Sequence, residues 1–190
     1  QVHGRLFLID CGEGTQRQMV RLGVSLQKVD TIFITHVHGD HVYGLDGLLS
    51  TLARGGRQVP VDIYGPRNLG PMIHFFRSYN EWIGYEIRFH ALDVKEPTLI
   101  METKSTQVFA LPLVHGVDTF GYVFKEKQPQ WNVKKEALEE YGFSLTEIGT
   151  LKRGEDVVRG GVVIPHGEVA YIPFEPRSYA YISDTQVFEQ

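Results

Sequence analysis

The 190-residue chain, 42% hydrophobic and 12% aromatic, carries enough apolar material for one sizeable core, which excludes a disordered or fibrous protein. A net charge of −4 argues against a surface coated in basic residues for non-specific nucleic-acid binding, and one cysteine, Cys11, excludes an internal disulfide and points to the cytoplasm. No apolar run is long enough to cross a membrane and no signal-peptide pattern is present, so no membrane partner is expected.

Arg5–Asp10 is a short apolar run ending in a carboxylate, followed by the turn Cys11-Gly12-Glu13-Gly14 and a helical pattern from Thr15 to Leu22. Thr15 is the expected cap, with Gln16, Gln18 and Arg21 facing water and Met19, Val20 and Leu22 available to the core. The β-branched run Thr31–Thr35 predicts a strand, and Tyr43–Ala53 a helix with Leu45, Leu48, Leu49 and Leu52 on one face. Val61–Tyr64 reads as a further strand stopped by Gly65-Pro66, and Leu69–Trp82 as a helix whose apolar face is Met72, Ile73, Phe75, Phe76 and Trp82. Tyr85–Leu92, Thr98–Met101, Val108–Leu113 and Phe120–Phe124 are β-rich with short polar connections, and together suggest a meandering sheet. From Lys125 to His166 the composition changes: charges are frequent, glycines recur, and the helical pattern is confined to Lys134–Tyr141. This stretch is expected to leave a core formed by 1–124 and 167–190. It holds seven Lys/Arg and seven Asp/Glu, so it is not a basic arm. Tyr179–Asp184 returns as a strand ending in a carboxylate.

Between the Thr31–Thr35 strand and the next helix lies His36-Val37-His38-Gly39-Asp40-His41. Imidazole nitrogen and carboxylate oxygen are the donors that a borderline metal such as zinc accepts. Alternate residues of an extended segment point the same way, so His36, His38 and Asp40 can converge, and Gly39 permits the turn that would bring in His41. Four donors on one loop overfill the open site of a single hydrolytic zinc, which suggests a dinuclear centre. His115, on a turn after the Leu111–Val114 run, and Asp184, at the end of the last strand, each either complete that centre or cap a turn. A carboxylate bridges two metals where an imidazole does so poorly, so Asp184 is the bridging candidate. His3, His74, His90 and His166 lack such a setting and are read as surface or packing residues.

The order Asp10-Cys11-Gly12-Glu13-Gly14-Thr15-Gln16, HVHGDH at 36–41, His115 with Gly121-Tyr122, and Ser183-Asp184-Thr185 resembles the metallo-β-lactamase superfamily and, within it, the ribonuclease Z family. The first of these motifs is specific to that subgroup. The resemblance implies an α/β metallo-β-lactamase fold, an αββα four-layer sandwich incomplete in this chain, with helices outside two packed sheets. It implies a zinc-dependent endoribonuclease that cleaves the 3′ trailer from precursor tRNA by attack of a metal-activated water. His36, His38 and His115 would hold one zinc, Asp40 and His41 a second, with Asp184 bridging; Asp40 would also be the base that orients the water, and Asp10 a structural carboxylate beside the site. It further implies a cytoplasmic homodimer whose inserted arm, 125–166, grips tRNA away from the cut. Lys134, Lys135, Lys152 and Arg153 are candidate phosphate contacts there, or simply a solvated charged face.

The chain departs from the family at three points. The family's second zinc takes one more histidine, and a further histidine in a His-Glu motif assists the leaving group; both follow the position of Asp184, after which this chain has six residues and no histidine. The family's opening strands precede Gln1, so a fragment cut at both ends is expected. The arm lacks the Gly-Pro that such arms often carry at the tip, reading Tyr141-Gly142-Phe143-Ser144 instead. Two rival readings follow: a hydrolase of the same fold acting on a small ester or phosphodiester, which has no need of the arm, and a catalytically incomplete RNA-binding subunit.

Overall fold

The computed structural model describes residues 1–187 and divides into two compact units, one formed by Gln1–Phe124 with the chain from Tyr179 onward, the other by Lys125–Ser178. The expectations on the last three residues lie outside the described part.

In the first unit, β1 (Leu6–Ile9), β2 (Val29–Phe33), β3 (Val61–Pro66) and β4 (Ile87–Leu92) form a parallel sheet in the order β1-β2-β3-β4. The intervening helices are α1 (Thr15–Arg21), α2 (Gly39–Val42), α3 (Leu45–Arg54) and α4 (Gly70–Tyr79). The second sheet, order β12-β7-β6-β5, comprises β5 (Thr98–Glu102), β6 (Thr106–Leu113), β7 (Thr119–Glu126) and β12 (Ser178–Tyr181).

Alternation along the parallel strands assigns their two faces. Leu6, Leu8, Ile32, Ile34, Val61 and Ile63 pack with the helices, joined by Met19, Val42, Leu45, Leu48, Leu49, Leu52, Ile73 and Phe76. Phe7, Ile9, Phe33 and Tyr64 point the other way and pack with Val108, Ala110, Phe120, Tyr122 and Phe124 of the second sheet. Phe33 is the hub, stacked on Tyr64 with centroids 5.2 Å apart and meeting Phe124 edge-on at 5.3 Å. Burying each of these large side chains contributes about 1.5–3 kcal/mol. Helix, sheet, sheet is therefore the layering of the metallo-β-lactamase fold, with the helices of this unit supplying one outer face among the described residues.

Several local expectations change. Tyr85–Leu92 does not join a meander: β4 runs parallel to β3 in the first sheet, whereas β5 pairs antiparallel with β6 in the second. In α1 only Met19 is buried, while Val20 and Leu22 are 67% and 75% exposed. In α4 the core face is Ile73 and Phe76 with Met72 at its edge, leaving Phe75 exposed because one helix face packed on a sheet accommodates a single stripe; the helix ends at Tyr79, so Trp82 lies beyond it and is exposed. His74 is exposed, as expected.

The second unit is more regular than its sequence suggests. β8 (Asn132–Val133), α5 (Lys135–Tyr141), α6 (Leu145–Lys152), β9 (Val157–Arg159), β10 (Val162–Ile164), α7 (His166–Val169) and β11 (Ala170–Tyr171) surround a buried cluster of Ala137, Phe143, Leu151, Val157, Ile164 and Val169. β11 pairs with β8, so the segment runs past the 166 expected. α6 begins in a capping box: Ser144 Oγ accepts from Glu147 N–H at 3.3 Å and Glu147 Oε2 accepts from Ser144 N–H at 2.8 Å.

Candidate metal centre

Three strand ends and one late turn meet here. β2 runs into Thr35-His36, and its register continues through Ile34 N–H, which donates to Tyr64 O at 2.8 Å. Phe120 N–H donates to Thr35 O at 2.9 Å, tying the turn that carries His115 to the end of β2. Tyr122, fully buried, donates its hydroxyl to Ile34 O at 2.6 Å. Asp184 sits in the turn after β12, anchored because Thr185 Oγ1 accepts from Val114 N–H at 3.2 Å and Gln186 N–H donates to Val114 O at 2.8 Å. His115 and Asp184 are thus clamped to each other through the residues beside them.

The loop holding His36–His41 is braced from below by the Cys11-Gly12 turn. Cys11 N–H donates to His41 O at 2.7 Å, and Gly44 N–H donates to Cys11 O at 2.8 Å. A Cβ on Gly12 would stand 2.0 Å from the Asp40 carbonyl oxygen, and one on Gly44 would stand 2.1 Å from the Gly12 oxygen. Both glycines are there because two backbones touch. Asp10 enters that turn with φ of 56°, a left-handed conformation that Asp tolerates better than most side chains. Burial pushes the Cys11 thiol up to about 12, so it is a packing residue and not a nucleophile.

Donor atoms of His36, His38, His115 and Asp184 all lie within 4.8 Å of one another. His36 Nε2 is 3.1 Å from His38 Nδ1, and His115 Nε2 is 3.4 Å from the same nitrogen. His36 is fully buried, and burial first, then the rings of His41 and His38, hold its pKa below the ordinary His range. A neutral ring with a free lone pair is the form a metal takes. A second trio abuts the first: His41 Nε2 is 3.4 Å from Asp40 Oδ2 and 3.8 Å from Asp184 Oδ2. Asp184 Oδ2 is also 3.7 Å from His36 Nε2, so its carboxylate stands between the two groups. Electron-pair donors crowded in this way fit divalent cations better than they fit one another.

All six sequence-predicted donors therefore come together, and the other histidines stay apart. His90 Nε2 bonds Asp62 Oδ1 at 2.7 Å and stacks on Tyr64, and His166 Nδ1 bonds Asp156 Oδ1 at 2.9 Å. Asp10 is next to the site without facing the trios: its Oδ2 accepts from His41 Nδ1 at 2.9 Å and its Oδ1 accepts from Thr35 N–H at 2.8 Å. Thr35 is what the sequence reading missed. Its only sequence signal is its place as the last strand residue before the histidines.

Residues 1–73 match the family described as Anti-Pycsar protein Apyc1, a match that includes HVHGDH and ends inside α4, before His115 and Asp184. Ribonuclease Z of Parabacteroides distasonis is 38% identical over 186 residues, covering 95% of this chain and 60% of that protein. Ribonuclease Z of Methanococcus maripaludis is 40% identical over 185 residues, covering 96% of the chain and 59% of the relative. Among solved structures, human tRNase Z, short form, superposes with a TM-score of 0.59 at 30% identity over 68% of this chain and 57% of that one. The chain spans about three fifths of the length of the curated relatives it matches.

Proposed function

We propose, from a chain that is homologous to ribonuclease Z across 95% of its length and has the metallo-β-lactamase fold, that it carries the metal centre of a zinc-dependent endoribonuclease removing the 3′ trailer from precursor tRNA. The observation that carries this reading is the convergence of His36, His38, His115 and Asp184 within 4.8 Å.

His36 through Nε2, His38 through Nδ1 and His115 through Nε2 would hold one zinc. Asp40 and His41 Nε2 would hold the other, and the Asp184 carboxylate, which stands between the two groups, would serve both. Zinc, when bound, supplies positive charge against the scissile phosphate and acidity to water. Asp40, with a side chain 79% exposed, reaches the open side of the centre, where it orients the attacking water and takes its proton. Asp10 and Thr35 hold the rings behind. The unit from Lys125 to Ser178 is the arm that grips tRNA, and Lys152 is the first phosphate contact to test. Lys134 and Arg153 are engaged locally, the first donating to Glu168 O at 2.6 Å and the second pairing with Glu155 at 2.9 Å. The enzyme works as a homodimer in the cytoplasm.

The test uses the full-length protein that contains this chain, with metal measured by elemental analysis and cleavage of a precursor tRNA assayed on the same sample. Two zincs per chain and a single cut after the discriminator base are expected, with cleavage abolished and the fold retained in His38→Ala. An active His38→Ala protein would overturn the site assignment, and a two-zinc protein that leaves precursor tRNA intact would overturn the substrate.

A further inference from the structure

We propose that the hydroxyl of Thr35 is a positioning group that, together with Asp10, fixes the ring proton of His36 on Nδ1 and so aims the Nε2 lone pair into the metal centre. Thr35 is fully buried and the Asp10 side chain is only 10% exposed. Thr35 Oγ1 lies 3.0 Å from each carboxylate oxygen of Asp10 and 3.0 Å from His36 Nδ1.

Counting protons decides the direction of these bonds. A hydroxyl has one proton to give, and an ionised carboxylate only accepts. The Thr35 proton therefore goes to Asp10, and Thr35 Oγ1 is left as an acceptor for the ring nitrogen beside it. His36 must then carry its proton on Nδ1. Its Nε2 is bare, and Nε2 is the atom that stands 3.1 Å from His38 Nδ1 and 3.7 Å from Asp184. Asp10 reaches His41 Nδ1 without a spacer, at 2.9 Å, and leaves His41 Nε2 bare toward Asp40 and Asp184. One buried carboxylate thus sets the tautomer of one imidazole in each trio, directly on one side and through Thr35 on the other. Valine at 35 would fill the same space and remove the acceptor; serine would keep it.

This inference rests on the metal-centre reading, and the two fail separately in the following experiment. Ring nitrogens are observed by long-range ¹H–¹⁵N correlation in the metal-free, full-length protein labelled at histidine, and zinc affinity is then measured by competition with a chromophoric chelator. Wild-type His36 and His41 are expected as Nδ1–H tautomers. Thr35→Val releases His36 toward the Nε2–H form while His41 keeps its tautomer, and weakens zinc binding about 10- to 100-fold. Thr35→Ser keeps the wild-type tautomer and holds zinc within about threefold of wild type. A purely structural role would not move one ring's tautomer selectively. The relay is overturned if wild-type His36 is the Nε2–H tautomer, a result that requires no variant to fold, or if Thr35→Val leaves both the tautomer and the zinc affinity unchanged. Nδ1–H tautomers in a wild-type protein that binds no zinc would uphold the relay and sink the metalloenzyme reading.

Discussion

Substituting Gly12 by alanine tests whether the turn after β1 sets the position of the metal loop. The added Cβ would lie 2.0 Å from the Asp40 carbonyl oxygen and 3.0 Å from its carbon, against 3.4 Å for the closest ordinary contact. The backbones must separate by about 3.4 − 2.0 = 1.4 Å. No flexible side-chain tip absorbs that movement, because the atoms in the way are backbone. The bond from Cys11 N–H to His41 O, 2.7 Å long, is stretched by the same displacement. Overpacking of this kind costs about 2.5 kcal/mol, or roughly 5–10 °C in the thermal midpoint of a chain this long. The larger effect is expected at the proposed metal centre, since Asp40 and His41 sit on the displaced segment and a misplacement of about 1 Å is worth on the order of 100-fold in function. Thermal unfolding and zinc titration of Gly12→Ala, beside Gly84→Ala where a Cβ meets nothing within 4 Å, separate the two outcomes. If Gly12→Ala melted and bound zinc like wild type, the close contact between turn and loop would not be a constraint.

Two further outcomes follow from groups away from the centre. Arg57, only 4% exposed, donates to the carbonyls of Val59, Gln27 and Pro60 at 2.8, 3.2 and 2.9 Å and lies 5.7 Å from the Tyr85 ring centroid. Arg57→Met should cost roughly 3 kcal/mol by leaving those acceptors unpaired, and Arg57→Lys should recover little because an ammonium cannot reproduce the fork; full stability of the lysine variant in denaturant titration would contradict this. In the second unit, hydrogen bonds from the Arg159 guanidinium, then from the backbone and side chain of Ser144, bring the Glu147 carboxyl from 4.5 down to about 2. A depressed carboxyl contributes stability that is complete above about pH 4.5 and drains away as pH falls through about 2. Acid titration followed by Trp131 fluorescence in a Trp82→Phe background should therefore lose part of its slope between those pH values in Glu147→Gln, and an identical acid limb would show that the pair contributes nothing.

The HVHGDH cluster stands out in the sequence because three imidazoles and a carboxylate within six residues are not what packing asks for, and its His36, His38 and His41 lie close to Asp184 in space, with His115 beside the first two. Leu45, Leu48, Leu49 and Leu52 were equally plain, since a 3.6-residue period over four positions has one face to bury, and all four are fully buried. Periodicity cannot tell a residue on the edge of the α4 stripe from one in the middle, which is why Phe75 reads as core, and it does not show that the helix stops at Tyr79, which is why Trp82 reads as part of it. The sheet that β4 joins is not readable from the sequence because strand residues do not announce their partners, and Tyr85–Leu92 has the same β-rich composition as the strands that follow it. α6 does have a signal in the sequence, since Ser144-Leu145-Thr146-Glu147 has the spacing of a capping box, but Gly149 inside the helix masks it. Thr35 was invisible for a different reason. A threonine ending a strand is ordinary, and its importance appears only when a carboxylate from β1 and the neighbouring imidazole are both found 3.0 Å from its hydroxyl.

The second unit departs at the end of β7 and rejoins at the start of β12, where Glu126 N–H donates to Arg177 O at 2.9 Å and Arg177 N–H returns to the Glu126 carboxylate at 2.9 Å. In polymer terms the insertion is a loop whose mouth is already shut. The entropy of closing a loop grows only as the logarithm of its length, about 0.6 kcal/mol for each doubling, so residues can be gained, lost or exchanged inside it at little cost to the strand that delivers Asp184. The surface of this unit can thus change while the turn after β12 that carries Asp184 stays under a separate constraint.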